Sequence, residues 1–383
     1  MVDASSKSKP EEAVLDSNST MPPVYRLYGA AISLYTGKVR AYLRYRNVPF
    51  VEQAGRPEIF ERIGFQMIPV LHAPDDELVQ DTTVIIDYFE DKFAENGMAG
   101  SSVYPTGAAQ RLVAFLFEVY GDEWLVIPAM HYRWTYNLDF ILEEFGKMLI
   151  PDASAEEQRA MGEKISAPFR GSLPILGITD DTVAGIESDY EELLQLLDEH
   201  FAKHRYLLGS RPSIGDYGLM GPLYAHNYRD PWSGEQMRRI APNVARWVGS
   251  MNTPTPNAGH FLPDDEIPET LLPLLEKMFS EAMPALMASL EANAAWIEAN
   301  PDAEEIPRGV GEHEFVIGGK HGKRMIRSYS QWMLQRPLDD YRALTAKDRE
   351  RVDDLLEQVG GREWLQSPIR RRVTRRNNRL VPE

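Results

Sequence analysis

Cysteine is absent from all 383 residues. That excludes disulfides, thiolate-held metals and any redox cycle running on the protein's own thiols. No apolar run is long enough to cross a bilayer. The first 23 residues lack the apolar core of a secretory signal, and they carry too many acids for a transit peptide. We read 1–23 as a disordered tail and expect a cytoplasmic protein. The eight histidines are scattered, with no ligand spacing such as His-Glu-x-x-His, so no metal is expected. Positive charge is in short supply: 41 Lys and Arg against 58 Asp and Glu leave a net charge of −17. Such a balance works against attraction to nucleic acid or an anionic membrane, and neither partner is expected.

What is present describes a globular chain of two or three domains. It has 43% hydrophobic and 26% charged residues, enough of the first for a large core. Residues 24–95 alternate between strand and helix signals. Val24–Tyr28 reads as a strand, Thr36–Asn47 as a helix and Val48–Val51 as a second strand. Pro57–Ile63 is a short helical piece. Ile68–His72 and Glu77–Val79 are strands joined at Pro74-Asp75-Asp76, and Thr82–Phe93 closes the unit as a helix. The pattern is βαβ followed by ββα.

Residues 96–107 are rich in Gly, Ser and Pro and read as a linker. From 108 to 251 the pattern is helical: about 108–148 with a break or kink at Pro128, then Thr182–His204, Ser213–Tyr228 and Asn243–Met251. Ser213 and Asp216 have the spacing of a capping box. Residues 252–383 form a mostly helical extension. It starts with a Pro-rich loop, 252–268, placed by chain order near the cleft. Helices near Glu269–Met283 and Pro284–Asn300 carry wide apolar faces that need burial, expected on the helical domain near Asn243–Met251. A hairpin over Phe315–Ile326 and helices at Tyr329–Gln335 and Lys347–Val359 follow. The basic run Ile369–Arg379 reads as neutralising an acidic surface of this chain or a partner subunit.

Chemistry concentrates in three short segments. Ser33-Leu34-Tyr35-Thr36 joins the first strand to the first helix, where backbone N–H groups converge and the helix dipole favours negative charge. Ile68-Pro69 precedes a strand, and Asp81-Thr82 opens a helix. In this order, and with Arg211–Tyr224 further on, the chain resembles glutathione S-transferases over roughly residues 24–250. The resemblance implies an α/β plus all-α fold: a thioredoxin-like domain at 24–95, then a helical bundle at 108–251. It implies glutathione as co-substrate, with Ser33 donating a hydrogen bond to the glutathione sulfur. Tyr28 and Tyr35 are alternative donors. It also implies that a cis Pro69 exposes the Ile68 backbone to the cysteinyl group, and that Asp81 and Thr82 hold the γ-glutamyl end. Each residue also has a plainer role available: Ser33 and Thr82 as helix caps, Pro69 as an ordinary trans proline.

Tyr120, Trp124 and His131 keep near-helical spacing and either line a pocket for an apolar co-substrate or belong to the core. Two function classes stay open. One is an enzyme that activates the glutathione thiolate for attack on an apolar electrophile, by conjugation, ether cleavage, dehalogenation or isomerisation. The other is a non-catalytic binding or regulatory module. The resemblance further implies a homodimer.

Overall fold

The computed structural model describes residues 24–383, so the expected N-terminal tail lies outside the described residues. The first unit contains β1 (Tyr25–Tyr28), α1 (Leu34–Tyr45), β2 (Phe50–Gln53), α2 (Pro57–Ile63), β3 (Val70–His72), β4 (Leu78–Gln80) and α3 (Thr82–Glu95). The sheet order is β2-β1-β3-β4. β1 runs parallel to β2, and β3 runs antiparallel to both β1 and β4. This is the expected thioredoxin-like arrangement. α1 is apolar on more than one side, and Leu34, Val39, Tyr42 and Leu43 are all buried. A helix with so wide an apolar face has to be covered on both sides. The sheet unit covers one side, and α9 of the helical region covers the other.

The helical region contains α4 (Ala108–Val119), α5 (Val126–Tyr136), α6 (Leu138–Leu149), α7 (Ala155–Gly171), α8 (Val183–Lys203), α9 (Ile214–Ala225), α10 (Pro231–Ile240) and α11 (Pro242–Asn252). The interruption expected at Pro128 lies elsewhere. The chain breaks at a π-helical turn, Tyr120–Trp124, and again at Asn137. Pro128 falls in the first turn of α5, where a missing N–H costs no intrahelical bond. The Ser213–Asp216 capping box is formed, and the Asp216 carboxylate also accepts from Leu207 N at 3.0 Å.

The extension contains α12 (Leu272–Lys277), α13 (Met283–Ala299), β5 (Gly309–Ile317), β6 (Lys320–Arg327), α14 (Tyr329–Arg342), α15 (Ala346–Gln358), α16 (Arg362–Gln366), β7 (Val373–Arg376) and β8 (Arg379–Pro382). It is folded into the body of the protein, and Leu271, Leu274, Leu275, Met278, Phe279 and Leu286 are buried. It packs on the helical region through α8, itself a neighbour of α11, and through α4. α12 packs on α8, while α14 and α15 pack on α4. Polar contacts reinforce the seams: Lys277 Nζ stands 2.6 Å from Asp189 of α8, and Arg336 pairs with Asp87 of α3 at 2.7 Å. The basic run pairs β7 with β8 across Asn377 and Asn378, both at positive φ. Its arginines bind acids of this same chain: Arg370 with Glu291 and Glu298, Arg372 with Asp339.

Candidate glutathione site

The site starts from a close helix crossing. A Cβ on Gly121 would stand 2.3 Å from the backbone of Gly218, and one on Gly218 would stand 2.5 Å from Glu118 Cα. Only glycine at both positions lets α9 lie against the end of α4 and its π-helical turn. That contact fixes Glu118 and Asp122, which face α1. Lys38 of α1 is completely buried between them, with Nζ 2.8 Å from Glu118 Oε1 and 2.6 Å from Asp122 Oδ2. Thr83 of α3 donates to the same Glu118 oxygen at 2.7 Å. Burial alone would lower the Lys38 pKa, but the two carboxylates outweigh it and raise it. Burial, aided by Glu118 and opposed by Lys38, pushes the Asp122 carboxyl up to about 7.

Above this cluster lies a cavity of about 460 Å³. One wall belongs to the first unit: Tyr35, Ile68, Pro69, Gln80, Asp81 and Thr82. The Ile68–Pro69 bond is cis, and no backbone hydrogen bond among the described residues engages the Ile68 N–H or C=O. Asp81 caps α3 through Oδ1, which accepts from Thr83 N at 2.9 Å and Val84 N at 3.4 Å. Its φ of 91° is a strained backbone, costing ~1–3 kcal/mol, of the kind that collects at ligand sites.

The structure separates the three candidate hydroxyls. Tyr35 lines the cavity; its hydroxyl donates to the Asp122 carbonyl at 3.3 Å, and burial pushes the phenol up to about 12. Ser33 is the N-cap of α1 and is half-buried, but it is not among the residues that form the cavity wall. Its oxygen accepts from Thr36 N at 3.3 Å, and its own proton has no acceptor among the described residues. Tyr28 is buried with Ile59, Ile63 and Val70, away from the cavity. Tyr120, Trp124 and His131 are core residues and none lines the cavity. His131 is held by Glu187 at 2.8 Å.

Sequence reasoning missed the opposite wall. It is built by the extension, from residues 305–308, 325–333 and 375–380. The 252–268 loop stays clear of the cavity; instead, Asp265 caps α4 by accepting from Ala109 N at 2.8 Å and Gln110 N at 2.9 Å. Three side chains of the extension reach across. Tyr329 donates to Asp81 Oδ2 at 2.7 Å, Arg375 donates to the Gln80 side chain at 2.5 Å, and Arg327 stands 3.5 Å from Glu123. Between them Ile175, Leu176, Ile306, Met325, Met333 and Leu380 supply apolar surface. Among the described residues, no group of three His, Asp or Glu is placed to hold a metal ion, and no helix is long and apolar enough to cross a membrane.

Comparison with known proteins agrees with this layout. Residues 27–97 match the glutathione S-transferase N-terminal domain, and residues 187–253 match the glutathione S-transferase C-terminal domain. No curated protein matches the chain. Similar solved structures include a glutathione S-transferase from Rhodospirillum rubrum F11, at 17% identity and a TM-score of 0.38; the match covers 64% of this chain and 96% of that one. Another is the beta-etherase LigF from Sphingobium sp. strain SYK-6, at 19% identity and a TM-score of 0.41, covering 61% of this chain and 96% of that one. A third is the glutathione transferase GSTFuA3 from Phanerochaete chrysosporium, at 14% identity and a TM-score of 0.41, covering 62% of this chain and 98% of that one. The chain thus carries a match to each of the two glutathione S-transferase domains, in that order.

Proposed function

We propose that the protein is a glutathione transferase that activates the glutathione thiolate for attack on an apolar electrophile. The observation that carries this reading is the cavity wall on which the cis Ile68–Pro69 bond, Asp81 and Thr82 meet. Asp81 takes the γ-glutamyl ammonium; its Oδ2 already accepts from Tyr329 but has a second lone pair free. The Thr82 hydroxyl and the N–H groups at the start of α3 take the α-carboxylate. The Ile68 N–H and C=O pair with the cysteinyl backbone as an added strand would. The sulfur then lies near the N-terminus of α1, and the apolar surface supplied largely by the extension receives the electrophile.

Ser33 is the thiolate donor in this reading, because its hydroxyl proton is uncommitted. Tyr35 is the competing donor, since it lines the cavity. The thiolate's ultraviolet absorbance, titrated in Ser33→Ala and in Tyr35→Phe, decides between them. A lost hydrogen bond to a charged group costs ~1.5–3 kcal/mol, so the bound thiol's pKa rises by about one to two units in the variant lacking the donor.

A non-catalytic glutathione-binding module is favoured by one observation: Tyr329 and Arg375 already bind the residues that would meet the γ-glutamyl end. Calorimetry with glutathione, followed by a thiol-conjugation assay across several electrophiles, separates the two. Binding with no turnover assigns the module, and absence of binding removes both. We further propose a cytoplasmic homodimer, which sedimentation showing only a 43.5 kDa species at micromolar concentration would exclude.

A further inference from the structure

We propose that Arg375, carried by the extension, binds the α-carboxylate of glutathione's γ-glutamyl end, while Asp81 takes the ammonium of the same group. The inference rests on the glutathione reading above and adds to it a residue that lies outside both matched domains. It begins with charge. Glutathione carries two carboxylates against one ammonium, and ionising its thiol adds a third negative charge. On the cavity wall the first unit contributes one charged residue, Asp81, and the helical region contributes Asp122 and Glu123. All three are acids. Among the described residues, every lysine or arginine on that wall belongs to the extension: Arg308, Arg327, Arg375 and Arg379. A carboxylate leaving water needs a cation or several hydrogen bonds to replace its hydration. For a ligand on the first wall, the cation has to come from the facing one.

The four arginines differ in what they already hold. Arg327 stands 3.5 Å from Glu123, and Arg379 stands 3.9 Å from Glu305. Arg308 is exposed, and no bond among the described residues fixes its side chain. Arg375 is half-buried and is held without being neutralised. It donates to the Gln80 carbonyl at 3.1 Å and to Gln80 Oε1 at 2.5 Å, both uncharged acceptors, and no carboxylate among the described residues lies at ion-pair distance. Arg370 and Arg372 of the same basic run instead pair with Glu298 and Asp339. A guanidinium has five N–H donors, so three of those on Arg375 remain for a planar, two-pronged acceptor such as a carboxylate.

The same bonds fix its place. Gln80 directly precedes Asp81. Burial and Asp81 raise the Tyr329 phenol that donates to Asp81, and the Arg375 charge is close enough to oppose them. A cation and an anion thus meet around Gln80-Asp81, one for each charge of an α-amino acid head group. The start of α3 has little left to offer the carboxylate on its own. Asp81 Oδ1 already accepts from Thr83 N and Val84 N, and Ile85 N bonds the Asp81 carbonyl. Among the described residues, that leaves the N–H and the hydroxyl of Thr82.

The test varies the ligand as well as the protein. Calorimetry is run with glutathione, with γ-aminobutyryl-cysteinyl-glycine, which lacks the α-carboxylate, and with the glycyl ethyl ester of glutathione, which keeps it. Arg375→Gln should bind glutathione and the ester roughly ten- to a hundred-fold more weakly than the native protein does. It should bind the γ-aminobutyryl analogue as the native protein does. Equal losses for all three ligands would mean that Arg375 only ties the extension to Gln80, and would overturn the proposal. Undiminished glutathione affinity would overturn it too. A loss for the analogue that the ester escapes would assign Arg375 to the glycyl carboxylate, which also overturns it. Should Arg375→Gln not fold, Arg375→Lys carries the test. It keeps the charge without the fork, and the same choice among ligands is expected with a smaller loss. Glutathione that fails to bind the native protein removes the glutathione reading itself, whatever the variants do.

Discussion

One wall of the cavity is shaped by backbone. The cis Ile68–Pro69 bond, the strained turn at Asp81 and the first N–H groups of α3 are main-chain features that local sequence dictates. The facing wall is shaped by side chains. Tyr329, Arg327 and Arg375 reach it from α14, β6 and β7, and chain segments far apart in sequence must fold before they meet. The first wall falls within the matched N-terminal domain, and the second lies beyond residue 253, where neither domain match extends. Arg375 aside, the ligand handle and the electrophile surface proposed above would then come from different parts of the chain. This division of labour is itself open to test, beginning with removal of the second wall.

Truncation after Met251 should have the largest effect. It uncovers the faces of α4 and α8 on which α14, α15 and α12 pack. It also removes Asp265 from the N-terminus of α4 and Lys277 from buried Asp189. Each large apolar side chain re-exposed costs ~1.5–3 kcal/mol, and several together exceed the stability of an ordinary domain. We expect an aggregated product by size-exclusion chromatography. A monodisperse fragment with unchanged melting temperature would mean that the extension is an independent unit.

A smaller effect comes from the seam between α8 and the extension. Burial, helped by Glu281 beside it and opposed by Lys277, raises the Asp189 carboxyl to about 8, above its unfolded value near 3.8. The folded state therefore binds the proton more tightly, and stability falls as pH rises between those values. His200, lowered to about 3 chiefly by burial, acts in the opposite direction below its unfolded value of 6.5 and is neutral in both states well above it. The clear window is thus about pH 7 to 8. There, urea midpoints should decline with pH in the native protein and decline less in Asp189→Asn. Equal slopes would show that Asp189 is ionised throughout.

The two walls were not equally legible in the sequence. Ser33-Leu34-Tyr35 and Asp81-Thr82 were legible as helix starts because caps are set by neighbours in sequence, whereas the cis Ile68–Pro69 bond was implied only by the resemblance. α7 was missed although Ser154 and Glu157 spell a capping box; its sequence is so polar that only Gly162 and Ser166 are buried. Tyr329 and Arg327 gave no signal and Arg375 was read only as part of a basic run, because a lone aromatic reads as core and a basic residue as surface by default. The π-helical turn was hidden for the same reason that Pro128 misled. A helix is interrupted by what packs against it, here α9 through Gly218, as well as by its own residues.

The smallest effect sharpens the comparison most, because Asp81 belongs to one wall and its hydrogen-bond partner Tyr329 to the other. Asp81→Asn removes the charge proposed to meet the γ-glutamyl ammonium. Glutathione affinity should fall by ~1.5–3 kcal/mol, roughly ten- to a hundred-fold by calorimetry. Tyr329→Phe removes only the neutral donor on Oδ2. Burial, with Asp81 beside it, keeps the Tyr329 phenol protonated, so it orients the carboxylate without neutralising it. That contribution is worth ~0.5–1.5 kcal/mol, and affinity should fall by about tenfold or less. The sign matters more than the size. A rise in affinity would mean that Tyr329 stands where the ligand's ammonium must go, and the wall built by the extension would then be closing the site rather than completing it.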